Sequence, residues 1–226
     1  MNKKKVNFNK FQIISQFLLF LFILFLPTQF GKHFFLPFSY LSGVRVDYLA
    51  PTIYISDILF LCLVLFNLKK LIRFFINKYI LILFGLIIIN ILFSQSIFIS
   101  IYRYIKMIEF LSIGVIIYKQ ATSSILLFGF LGSAIYEFIL VIFQFLYKHS
   151  IQGNFYFLGE RYMTLSSPGI AKIAFNGIEF LRPYGTFSHP NSMAGYFLVL
   201  YILILTNKIF RIHTIARNIL LFICTL

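Results

Sequence analysis

The sequence predicts an all-α fold of the polytopic transmembrane type: about six complete spans, the start of a seventh, and an external loop between spans five and six. Three observations predict it. Of the 226 residues, 60% are hydrophobic and 20% aromatic, with a mean hydropathy of +0.92, more than one soluble core of this length buries. The apolar residues fall into separate runs of helical length. Finally, the chain carries a formal charge of +14, but its Lys and Arg residues lie in the short gaps between runs and form no stripe on a soluble domain. That pattern argues against nucleic acid as a partner and for a membrane.

Taken in order, residues 1–10 carry four lysines and lead into an apolar run at 11–27. The run is long for a signal-peptide core and lacks a small-residue cleavage site, so it reads as an uncleaved first span. A loop at 36–50 contains Arg45 and Asp47, and Pro51 opens a second span over 53–68 with Asp57 inside it. After Lys69, Lys70, Arg73 and Lys78, spans follow at 79–93, 105–118 and 125–147, with a sixth at 193–205. Several are short for a crossing and must extend into their flanks, stand upright or thin the bilayer. The apolar run from Ile219 continues for about eight residues, which reads as the cut end of a single transmembrane domain covering 1–226. Trp is absent, so Tyr48, Tyr79, Tyr104, Tyr118 and Tyr147, near the ends of runs, take the interfacial positions. Cys62 and Cys224 both lie in apolar runs and suggest neither a disulfide framework nor a metal site.

Charge asymmetry orients the chain. Placing the N-terminus in the cytoplasm gathers the lysine-rich start, the 69–78 cluster, Lys119, Lys208, Arg211 and Arg217 on one side, twelve of the twenty basic residues, all in short segments. Residues 148–189 are then external. They form the longest polar stretch, with turn signals at Gly153-Asn154, Ser167-Pro168-Gly169 and Asn176-Gly177, and read as a partly ordered cap.

Ionisable residues within spans cost several kcal/mol each unless paired or facing a wet cavity, so Asp57, Glu109 and Glu137 stand out. Ser133, Glu137 and Gln144 share one helical face, which should point inward. Arg103 and Lys106 lie at the external end of the fourth span, and Lys106 to Glu109 is an i, i+3 pair. Two readings follow: ion pairs that fix helix order, or a basic pocket in which Arg103 or Lys106 faces Arg182.

The stretch 179–196 runs from polar loop straight into apolar helix. Ser188 or His189 can cap that helix, and Pro190 suits its first turn because the missing N–H would find no partner there. Unpaired N–H groups, the positive helix end and Arg182 just upstream suit a doubly charged anion such as a diphosphate; the plainer reading is a capped helix after a tight turn. No zinc-protease, phosphate-loop, nucleophile-elbow or metal-dependent glycosyltransferase signature is present, so any chemistry is expected to be metal-free and without a cofactor. His33, His149 and His213 fall at interfaces; His189 is the one histidine weighed as a catalyst, against its fit as a cap.

The run Leu181-Arg182-Pro183-Tyr184-Gly185-Thr186-Phe187-Ser188-His189-Pro190-Asn191, followed by Ala194-Gly195-Tyr196, resembles the Arg-x-x-Gly-Thr-Phe-x-His-Pro-Asn segment of the bacterial O-antigen ligase and polymerase family. Gly31-Lys32-His33, Arg45 to Leu49 and Tyr54-Ile55-Ser56-Asp57 resemble the first loop and second span of its members. The resemblance implies a multi-pass protein of the bacterial cytoplasmic membrane. It implies transfer of a glycan from a polyprenyl-diphosphate carrier, such as undecaprenyl diphosphate, to a lipid or glycan acceptor in cell-surface polysaccharide assembly. By the same resemblance Arg182 matches a diphosphate-binding arginine; beside it, the reading of the charged residues in and near the spans adds Arg103 and Lys106 as further candidates for the diphosphate, with Asp57, Glu109, Glu137 and Asn191 in support. The histidine such enzymes use belongs to a later external loop, so its role is not carried over to His189. A transporter or flippase of lipid-linked saccharide is the alternative, and a non-catalytic membrane scaffold a third.

Overall fold

The computed structural model describes residues 10–225; the lysines at positions 3–5 and Leu226 lie outside the described residues. The chain divides into two compact units, one comprising residues 10–19 and 32–121, the other Phe20–Gly31 and residues 122–225. Helix α1 (Lys10–Leu24) contributes its first part to one unit and its end to the other.

Four short strands lie between α1 and the next helix: β1 (Gly31–His33), then β2 (Tyr40–Leu41) and β3 (Val44–Arg45) within the loop expected at 36–50, and β4 (Thr52–Tyr54), where the second span was expected to begin. β1 pairs with β4, and β2 with β3 through a turn at Ser42 and Gly43, both at positive φ. Helix α2 (Ile55–Phe75) follows directly, then α3 (Lys78–Leu92) and α4 (Ile97–Gln120). The break before α3 has a local cause: the Asn77 side chain accepts the Tyr79 N–H at 3.0 Å, capping a new helix bent by 90° from α2. Around the buried Leu63, Leu71, Ile113 and Ile116, a polar tie joins α1, α2 and α4. Asn67 and Gln120 each donate to the Ser15 hydroxyl (2.9 and 2.7 Å), and Lys70 donates to both amide oxygens (3.0 and 2.8 Å).

In the second unit, α5 (Ser123–Tyr147) starts at Thr122, whose hydroxyl accepts the Ile125 N–H, and stops where Lys148 turns left-handed. Residues 148–189 carry the hairpin of β5 (Lys172–Phe175) and β6 (Ile178–Leu181), closed by Asn176-Gly177 with both residues at positive φ, the preference of a tight hairpin turn. Helices α6 (Pro190–Thr206) and α7 (Thr214–Thr225) pack with α5 around Leu127, Ala134, Leu200, Ile204, Phe210 and Leu220. The end of α1 lies close on α5: a Cβ at Gly129 would meet the Ile23 side chain, and one at Gly132 that of Leu24.

The expectation of about six complete spans is overturned. Among the described residues only α5 is long and apolar enough to cross a bilayer, or two segments if the bent pair α2–α3 counts as one. The reasons are length and charge. A helix of 15 residues such as α1 or α3 rises about 22 Å and the 12 residues of α7 about 18 Å, short of a hydrocarbon core of about 30 Å. Helices α2 and α4 are long enough, but α2 carries Asp57, Lys69, Lys70 and Arg73, and α4 carries Arg103, Lys106, Glu109 and Lys119. The helical character expected of the chain holds, and among the described residues the strands are confined to three two-stranded sheets in the loops.

Candidate functional site

The residues resembling a diphosphate site lie in the second unit, where α5 fixes their backbone. Ser133, Glu137 and Gln144 are fully buried on one face of α5, as their spacing requires. The partners are a turn rather than another helix. Gln144 Oε1 accepts the N–H groups of Tyr184 and Gly185, both at 2.9 Å, while its Nε2 donates to the Gly185 carbonyl at 3.0 Å and to Glu160 at 2.9 Å. Glu137 accepts the Thr186 N–H at 3.0 Å, and the Thr186 hydroxyl lies between Glu137 and the Pro27 carbonyl. Ser133 pairs with the Tyr196 hydroxyl of α6 at 2.6 Å. Gly185 adopts φ +58°, and a Cβ there would run into a Glu137 carboxylate oxygen, so the glycine is needed both for the turn and for the close approach.

Glu160, 2% exposed, serves the cap in the same manner, accepting the N–H groups of Ile151 and Gln152 besides the Gln144 amide. Tyr184, also buried, reaches back so that its hydroxyl accepts the Ala171 N–H at 2.8 Å, next to the Arg182 N–H bonded to the Ala171 carbonyl.

On this rigid turn Arg182 is exposed, and its guanidinium donates to Asn191 Oδ1 at 3.1 Å in the first turn of α6. Arg182 and Asn191, both singled out in the sequence, are thus brought together. His189 is the N-cap of α6: its Nδ1 accepts the Asn191 N–H at 3.1 Å, and the ring stands edge-on to Tyr184. Capping is the role these contacts show. Beside the turn an apolar cavity of about 770 Å³ opens between α5, α6 and α7, lined by Phe138, Phe145, Pro183, Met193, Phe197 and Cys224 among others.

The remaining candidates lie in the first unit. Asp57 is in the first turn of α2 and accepts the Tyr54 N–H at 2.9 Å as half of a capping box. Lys106 forms an ion pair with Asp57 and a second, at 3.5 Å, with the buried Glu109. The ammonium also faces the Tyr54 and Tyr102 rings, and burial pushes the Tyr54 hydroxyl above its ordinary range. Tyr102 in turn pins β4, its hydroxyl bonding both the N–H and the carbonyl of Thr52 at 3.1 Å. Arg103 is exposed on α4. The structure therefore collects Lys106, Asp57 and Glu109 into one cluster, and Arg182, Asn191 and His189 into another, at the turn whose Thr186 is held by Glu137.

Sequence reasoning missed Glu160, Thr186 and Gly185 as structural determinants. Gln144 carried a signal, its place on the Glu137 face; Glu160, in a turn-rich segment without periodicity, carried none. No protein-family profile, curated protein or solved structure matches this chain.

Proposed function

We propose that this chain acts at a bacterial cytoplasmic membrane on a polyprenyl-diphosphate carrier, transferring its glycan to a lipid or glycan acceptor in the manner of O-antigen ligases and polymerases. The observation that carries this reading is the exposed Arg182 bonded to Asn191 at the start of α6, on a backbone turn pinned from below by Glu137 and Gln144. Such a site offsets part of the negative charge of a diphosphate leaving group. The guanidinium offers a fork of donors, and the N-terminal end of α6 adds the positive end of a helix dipole. Holding the turn rigidly matters because donors must already stand where charge develops. The neighbouring apolar cavity supports the same reading, since a carrier of this class brings a long hydrocarbon chain beside its diphosphate. Helix α5, the one described helix long and apolar enough to cross a bilayer unaided, supports the membrane location.

The test is binding of undecaprenyl diphosphate, and transfer of its glycan, by membranes containing the protein. Arg182→Ala should lower turnover about 10²- to 10³-fold. Arg182→Lys should also lose most of it although the charge is kept, because a lysine cannot offer two parallel donors. Wild-type binding and turnover in both variants would remove Arg182 from the site and sink the reading.

A further inference from the structure

The β5–β6 hairpin is two-faced. In its register Ile173 opposes Phe180 and Phe175 opposes Ile178, so these four side chains share one face. The other face carries Lys172, Ala174, Glu179 and Leu181, with Lys172 and Glu179 paired at 3.0 Å and Leu181 buried among Met163 and Tyr184. A soluble hairpin would turn its apolar face inward. Here Phe175 is 68% exposed and Ile173 and Ile178 about half exposed, while the charged pair occupies the face that also packs on the cap.

Phe180 shows where the apolar face leads. Its ring stacks on Phe145 in the last turn of α5 (centroids 5.2 Å, planes 15° apart), and the Lys148 ammonium lies 4.4 Å from its centroid. The exposed Leu146 and Tyr147 are the adjoining residues of α5. The hairpin face thus continues the apolar flank of the helix that can cross a bilayer, at the helix end where an aromatic and lysine belt belongs. Charge agrees: residues 148–189 hold four Lys and Arg against two Glu, and Glu160 is buried on backbone N–H groups, so the segment complements anionic headgroups.

We propose that this hairpin is a lipid-facing paddle, with Ile173, Phe175, Ile178 and Phe180 seated in the leaflet at which α5 ends and the Lys172–Glu179 face turned to water. Seating should be shallow, about 5–10 Å into the headgroup and acyl boundary. The proposal rests on α5 crossing the membrane, and it holds the turn bearing Arg182, which directly follows β6, at the level where a carrier's diphosphate emerges from the bilayer.

The absence of Trp makes the test direct, because any introduced indole is the sole reporter. Three single variants are reconstituted in vesicles of phosphatidylethanolamine and phosphatidylglycerol: Phe175→Trp on the apolar face, Ala174→Trp on the opposite face, and Ile135→Trp at the middle of α5 on its exposed side. Emission is quenched with aqueous iodide, with lipid brominated near the headgroup, and with lipid brominated near the chain ends. Phe175→Trp should be blue-shifted, quenched most by the shallow bromines and protected from iodide; Ala174→Trp should be quenched by iodide; Ile135→Trp should respond to the deep bromines. Iodide quenching of Phe175→Trp with Ile135→Trp still quenched deep overturns the paddle while α5 stands. Failure of Ile135→Trp to respond to lipid overturns the spanning reading and the paddle with it. Protection of Phe175→Trp from both iodide and lipid overturns it in favour of a protein covering the face, and equal lipid quenching of Phe175→Trp and Ala174→Trp overturns the two-faced seating.

Discussion

The two units bury carboxylates in different ways. In the first, charge answers charge: Lys106 lies between Asp57 and Glu109 and ties α4 to the start of α2. In the second, Glu137 is met by the amide and hydroxyl of a single residue, Thr186, while Gln144 holds the two preceding amides. A flexible lysine between two acids tolerates displacement of either helix, since an ammonium is a compact charge with rotatable donors. A buried acceptor bonded to successive backbone N–H groups does not, because those bonds weaken steeply with distance and angle. Hence the first arrangement joins helices, and the second positions a loop. A polar face on a helix is a better guide to a site when its partners are backbone groups of a loop than when they are other side chains.

The strongest test of this contrast is Glu137→Ala. It leaves the Thr186 N–H unsatisfied in a fully buried place, while the hydroxyl keeps the Pro27 carbonyl, and should cost roughly 2–3 kcal/mol, read as a lowered midpoint of thermal unfolding in detergent, together with loss of Arg182-dependent carrier binding. Glu137→Gln should retain most of both, since an amide can accept one bond and donate another. Wild-type behaviour of Glu137→Ala would erase the difference between the units. Next in size is Gly185→Ala, expected to destabilise by about 2 kcal/mol through its left-handed φ and displacement of the Glu137 carboxylate, with the same loss of binding.

Lys106→Met sharpens the other side. Breaking the cluster should cost about 1–2 kcal/mol, less than for a fully buried pair, because a fifth of the lysine side chain stays exposed. Carrier binding measured alongside decides a separate point: a loss matching that of Arg182→Ala would make Lys106 a diphosphate contact, and unchanged binding would confine it to helix joining. At the small end, Lys172→Ala removes a half-exposed pair and should shift stability by about 0.5 kcal/mol or less, with a salt dependence that vanishes in the variant.

Much of the candidate site was legible because its signals are local. The His189-Pro190 start of α6 and the Asn176-Gly177 turn depend on residues within a few positions, and the Ser133, Glu137 and Gln144 face needs only the period of a helix. The pairing of Arg182 with Asn191 spans nine residues across one turn and was foreshadowed by their proximity to it. The partner of Asp57 is equally local: Tyr54 offered an N–H three residues upstream, and capping set the helix start there.

By itself, then, the sequence determined where apolar helical segments lie, which of their faces carry polar groups, and that Asn176-Gly177 makes a turn, since each follows from near neighbours and a fixed period. Only the tertiary structure decided whether those segments are long enough to cross a bilayer, because that depends on breaks such as the 90° bend at Asn77 and on where charges fall along the finished helix. It also decided what the buried groups hold: Glu137 meets Thr186 at a separation of 49 residues, and Thr186 meets Pro27 at 159. Such partners are chosen by packing and by the cost of leaving a buried donor unmet, which no local pattern encodes.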